Sequence, residues 1–92
     1  MTDLSNMPVM AQVFNVIKQA QGSANAQLIA NAQSAEQYMM ALHNNQISPA
    51  EFADLMQDLS DKVAAADAED AIESKVMLGH ALNLAVSVAG SL

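Results

Sequence analysis

The stretch Ile47-Ser48-Pro49-Ala50-Glu51-Phe52 constrains this chain more than any other, because its residues specify a helix start in a single register. Ser48 is the expected N-cap. Pro49 falls at the first helical position, where its missing N–H costs nothing, and Glu51 sits at the third, where its carboxylate can accept from the cap's own N–H. Ile47 before the cap and Phe52 at the fourth position form the two halves of a hydrophobic staple, which fixes the angle of chain entry. Upstream, His43-Asn44-Asn45-Gln46 is a polar, Asn-rich run at the end of a long helical pattern. The stretch reads as a corner between two helices, predicted to fold them antiparallel.

The expected fold is all-α: one domain over 1–92, with a lead at 1–8, a first helical arm over 9–44, the corner at 45–48 and a second arm over 49–90. Pro8 is a first-turn residue with Asn6 or Ser5 as cap. In the first arm Met10, Val13, Phe14, Ile17, Ala20, Ala24, Leu28, Ala32, Ala35, Met39 and Leu42 keep to one stripe at about 100° per residue. Gly22-Ser23 interrupts the run without changing its phase. This favours one long helix, kinked or straight, over a break near Gly22 into a short N-terminal helix and a second one. In the second arm Phe52, Leu55, Met56, Leu59, Val63 and Ala66 form the stripe, and Asp67 with Asp70 reads as a fresh cap where the arm kinks or restarts. As continuous helices the arms would span about 54 Å and about 61 Å, a matched hairpin.

A single chain of 92 residues buries only about two thirds of its unfolded surface, and a core built largely of Ala buries little area per residue. Self-association is the expected remedy. The tail from Val76 to Leu92 carries no charged side chain and is apolar nearly all round, as a helix covered on every side would be. At 17 residues it falls short of the roughly 20 a bilayer span needs, so burial between subunits is expected rather than membrane insertion. Phe14, Ile17, Leu28, Val76, Leu82 and Val86 are the expected self-association residues.

The chain has a formal charge of −7 and lacks arginine, with Lys18, Lys62 and Lys75 its only lysines, so it offers no cluster for a phosphate backbone and nucleic acid is excluded as a partner. Eight of its ten acids fall between Glu51 and Glu73. Glu51, Asp54, Asp58 and Asp61 share a face as the candidate partner-binding acids, although such a face is more commonly just solvated. Asp58 and Lys62 are expected to pair at i,i+4. Catalytic and metal sites are not expected: His43 and His80 have no acid at i,i+3 or i,i+4, there is no cysteine, and Gly22, Gly79 and Gly90 stand alone rather than in a phosphate loop. His43 suits a helix C-terminus, and His80 a buried or interfacial site. No cofactor is implied. The start Met1-Thr2-Asp3-Leu4 has neither the basic residues nor the apolar run of a signal peptide, so a cytoplasmic location is expected.

The run from Tyr38 through the His43–Phe52 corner to Asp54-Leu55-Met56-Gln57-Asp58-Leu59, followed by Glu73-Ser74-Lys75-Val76-Met77-Leu78, resembles the corner in small uncharacterised helical proteins of tailed bacteriophages. The resemblance covers a little over half the chain, brings no functional residues, and implies a phage structural component that could end in a virion. In outline the chain also resembles the needle-subunit hairpins of secretion systems, whose corner and C-terminal motifs it lacks. The expected function is a non-enzymatic structural or interaction protein that assembles with itself or a larger partner through Ala-rich stripes and its apolar C-terminal helix. The alternatives are a small acidic regulatory or inhibitory binder docking on a basic protein surface, and, third, a membrane-active protein working through Val76 to Leu92.

Overall fold

The computed structural model describes residues 8–90, and among them the chain forms helices α1 (Pro8–Ala20), α2 (Ala26–His43), α3 (Pro49–Ala65) and α4 (Ile72–Ala89), the last entered through a 3-10 turn over Glu69–Ala71. The caps expected from Asn6 or Ser5 lie outside the described residues. Each helix packs on the next, α4 closes the ring against α1, and α2 also meets α4 across the middle. The body measures 39 × 20 × 18 Å. Its core is most of the predicted stripe: Met10, Val13, Ile17, Ala20, Leu28, Ala32, Ala35, Met39, Leu42, Phe52, Met56, Leu59 and Val63 are buried, joined by Leu78, Ala81, Leu82, Ala85 and Ala89 of α4, whereas Phe14, Leu55 and Ala66 are half-buried and Ala24, at the first break, is exposed.

The corner forms as its residues require. Ser48 Oγ accepts from the Glu51 N–H at 3.1 Å, and Glu51 Oε1 accepts from the Ser48 N–H at 3.2 Å, the reciprocal capping box. Phe52 is fully buried and Ile47 packs against the same core. On the α2 side the N–H of Gln46 reaches Ala41 O at 2.8 Å and that of Asn45 reaches Leu42 O at 3.1 Å, the bond pattern of a Schellman ending. Asn45 occupies the left-handed position this ending needs, with φ of 58°. Asparagine tolerates that region better than most non-glycine residues, which gives the Asn-rich run its physical role.

The two continuous arms do not form: α1 and α2 take the place of a single helix over 9–44, and α3 and α4 that of one over 49–90. The longest dimension, 39 Å, is well short of the 54 Å or so of an unbroken first arm. At the first break α1 tightens into i→i−3 bonds, Gly22 N–H to Gln19 O and Ser23 N–H to Ala20 O, and Asn25 in extended conformation caps α2. Gly22 has no positive φ, so the break rests on Asn25 rather than on glycine's left-handed freedom. At the second break Ala66 turns extended, and the Lys75 ammonium donates to Ala66 O at 3.0 Å. Asp67 marks the restart but does not cap it, because neither the 3-10 turn nor α4 has a side-chain cap.

The two breaks meet. Asn25 Oδ1 accepts from the Leu28 N–H at 3.1 Å, while Asn25 Nδ2 donates to Asp67 O and to Asp70 Oδ1, both at 3.0 Å. Gln27 Oε1 accepts from the Asp67 N–H at 3.1 Å, so the α1–α2 loop and the α3–α4 loop are fastened to each other. Further along, the Ser60 hydroxyl donates to Asn83 Oδ1 at 2.7 Å between α3 and α4.

Between α1 and α2 the Lys18 ammonium lies 2.8 Å from Glu36 Oε1, and Gln21 Nε2 donates to Glu36 Oε2 at 3.0 Å. Lys18 also sits 5.9 Å from the Phe14 ring centroid. The hydrogen bond from Lys18, followed by that from Gln21, holds the Glu36 carboxyl below its ordinary value of 4.5. A folded-state pKa depressed in this way contributes stability above the ordinary carboxylate range, and the contribution is lost as pH falls through the lowered value. Replacing Lys18 with Met removes the ammonium that does most to hold the carboxyl down, so Glu36 should titrate closer to 4.5 in a side-chain NMR titration. An unmoved titration would show that the ammonium does not govern this carboxyl.

Candidate interaction surface

The helix α4 places Leu78, Ala81, Leu82, Ala85 and Ala89 toward the core, at the 3- and 4-residue spacing of one helical face. The opposite face carries Ile72, Val76, His80, Asn83 and Ser87, all exposed. Its first half carries Ile72, 59 % exposed, and Val76, 64 % exposed, with Met77, 46 % exposed, and the exposed Glu73 beside them. Single exposed hydrophobics are ordinary, whereas three within six residues of one helix form a ridge. From Val76 to Gly90 the helix has no charged side chain, in a chain whose formal charge is −7.

Open grooves flank the ridge. One, of about 330 Å³, runs between α3 and α4 along Ser60, Val63, Ala64, Lys75, Val76, Gly79, His80 and Asn83. The other, of about 280 Å³, lies between α1 and α4 along Gln12, Val13, Val16, Met77, His80, Ala81 and Leu84. His80 stands on the crest between them. A Cβ added to Gly79 would reach Val63 Cγ1 at 3.9 Å, an ordinary contact, so the chain's own packing does not require glycine there. What the glycine does is leave the α3–α4 groove open at its middle.

The structure distributes the sequence-derived candidates differently from one another. Of the self-association residues, Ile17, Leu28 and Leu82 are fully buried in the chain's own core and Phe14 and Val86 pack against it; Val76 alone is exposed. The Ala-rich stripes face inward as well. Within one chain, α1 and α3 cover the inner sides of the C-terminal helix and leave Val76 and Met77 outside. His80 is exposed rather than buried, and His43 is the last residue of α2, beside the negative end of that helix.

Glu51, Asp54, Asp58 and Asp61 are all exposed along α3. Three have local partners. Glu51 belongs to the capping box, Asp58 pairs with Lys62 at 3.1 Å, and Asp61 accepts from Gln57 Nε2 at 3.2 Å. Sequence reasoning missed Asn25, which did not stand out among the many Asn and Gln of the first half, and it missed the ridge, because Met77 read as part of a uniformly apolar tail and Ile72 lies before that tail.

Among the described residues no three His, Asp or Glu side chains are grouped to hold a metal ion, and no helix is long and apolar enough to cross a membrane. Comparison of the chain with protein-family models, with curated proteins and with solved structures gave no match.

Proposed function

We propose that this chain is a non-enzymatic structural or interaction protein that assembles through the outer face of α4. The observation that carries the reading is the exposed Ile72, Val76 and Met77 ridge, followed by a helix face without charge on an otherwise acidic chain. Interface centres are depleted of charged residues, and ridges beside grooves are how helices pack on one another. In this reading α2 and α3 form an antiparallel hairpin about the capped corner and hold α4 in place, and the buried Ala-rich stripes serve the fold rather than the assembly. A role in a phage particle follows only from the resemblance of the corner and is part of the proposal on that ground.

The test is molar mass by light scattering after size exclusion, over a hundredfold range of concentration. The native chain should rise above its monomer mass of 9.7 kDa, and Val76→Glu should return it to monomer while melting within about 0.5 kcal/mol of the parent, as an exposed substitution does. A native chain that stays monomeric throughout would overturn the reading.

A second reading, a small acidic binder of a basic protein surface, is favoured by the exposure of Glu51, Asp54, Asp58 and Asp61. Neutralising Asp54, Asp58 and Asp61 separates the two: assembly persists under the first, and binding to a basic partner is lost under the second.

A further inference from the structure

We propose that the α4 ridge is covered by the same ridge of a second copy, the two helices crossing antiparallel about a two-fold axis beside Val76. The inference rests on the assembly reading above and adds its occupant and register. Three observations point to a second copy. The first is charge. In a chain at −7, two copies repel unless they meet where charge is sparse, and the crest of α4, Ile72, Val76, His80, Asn83 and Ser87, carries no Asp, Glu, Lys or Arg. The acids of α3 lie on another helix, away from this crest.

The second observation is complementarity along the helix. In an antiparallel pair crossing at Val76, residues four before the crossing lie opposite residues four after it, each about 6 Å from the axis at 1.5 Å per residue. Ile72 of one copy then faces His80 of the other, and Glu73, one position on, comes beside the same imidazole. Glu73, His80 and Val76 are all exposed, so the pairing needs no rearrangement of the fold. Symmetry makes the contact twice, as an isologous interface does. A parallel pairing would place Glu73 beside Glu73 and offer nothing to His80. The other charged group lining that side, Lys75, has its ammonium bound to Ala66 O. The groove walls from α3 (Ser60, Val63, Ala64) and from α1 (Gln12, Val13, Val16) bring no charge to His80.

The third is Gly79. Glycine inside a helix costs about 1 kcal/mol relative to alanine, and alanine would fit the chain's own packing. The open middle of the α3–α4 groove is the place where a ridge side chain from the second copy seats. One helix face is small against the roughly 800 Å² per partner of a standard interface, so the dimer should be weak and concentration-dependent.

Sedimentation equilibrium on the full chain tests this with variants that alter charge at exposed positions. Glu73→Lys should weaken the dimer about three- to tenfold, and His80→Glu should weaken it similarly. The double variant Glu73→Lys with His80→Glu places opposite charges across the axis and should recover at least half of the loss on a logarithmic scale. Gly79→Ala should raise thermal stability yet loosen the dimer. Association that ignores these charges, or a double variant weaker than either single one, would overturn the register while leaving assembly in place. A monomer at every concentration would overturn both.

Discussion

Phe52→Ala should lower the stability of the chain by about 3–5 kcal/mol, the largest effect expected of any single substitution here. Phe52 is the bulkiest of the side chains that are fully buried, and it is the inner half of the staple at the corner between α2 and α3. Truncation removes the transfer free energy of the ring and leaves a cavity. The backbone on one side of that cavity is held by the capping box at Ser48 and Glu51, so it has little freedom to collapse. A chain of this length has a total stability of roughly 5–14 kcal/mol, so the loss is a large fraction of the whole. In thermal unfolding followed by circular dichroism the midpoint should fall by on the order of 20 °C. A loss below about 1.5 kcal/mol would mean that the corner repacks freely and does not anchor the core.

The second large effect belongs to Asn25. Asn25→Ala should cost about 2–3 kcal/mol, the sum of a lost N-cap and of two lost donations at a site only 9 % exposed. Asn25→Asp is the more discriminating change. Aspartate caps a helix as well as asparagine does, so the bond to the Leu28 N–H survives. The donor that reached Asp67 O and Asp70 Oδ1 becomes a carboxylate facing both of them. If the link between the two loops matters, the aspartate variant should be at least as unstable as the alanine one near neutral pH, measured by urea unfolding. If it matches the parent, Asn25 is only a cap and the loops are held by other contacts.

These two residues also mark where the sequence could be read and where it could not. The corner was legible because every signal in it is local: Ser48, Pro49 and Glu51 are within three residues of one another, and Ile47 and Phe52 bracket them. The core was legible for a related reason, since one stripe of apolar residues suits a long helix and a pair of shorter ones equally well. That same ambiguity hid the breaks. Ala20, Ala24 and Leu28 stay in phase across Gly22, so periodicity favours continuation. What stops the helix is an Asn25 side chain whose second and third partners lie 42 and 45 residues away. No window along the chain contains that interaction. Asp67 was placed correctly as a restart, but its part is played by its backbone N–H and C=O, which Gln27 and Asn25 engage, and backbone groups leave no compositional trace.

The surface reading followed the same division. The α3 acids were visible from charge alone, and they do project outward. The tail of α4 could be recognised as uncharged, but not divided into inner and outer faces, because almost any side of it is apolar enough to be buried. Only the placement of α1 and α3 selects Leu78 and Leu82 for the interior and leaves Val76 and Met77 outside.

The closing of the ring by α4 on α1 carries a kinetic meaning. The α2–α3 corner joins neighbours in sequence and can form at small loop-closure cost, whereas α1 and α4 lie at opposite ends of the described chain and must find each other across two intervening helices. Loop-closure entropy alone therefore favours forming the corner before the contact between α1 and α4. Until α4 is in place, α2 covers only part of the inner face of α1, and the side that meets α4 stays open to water.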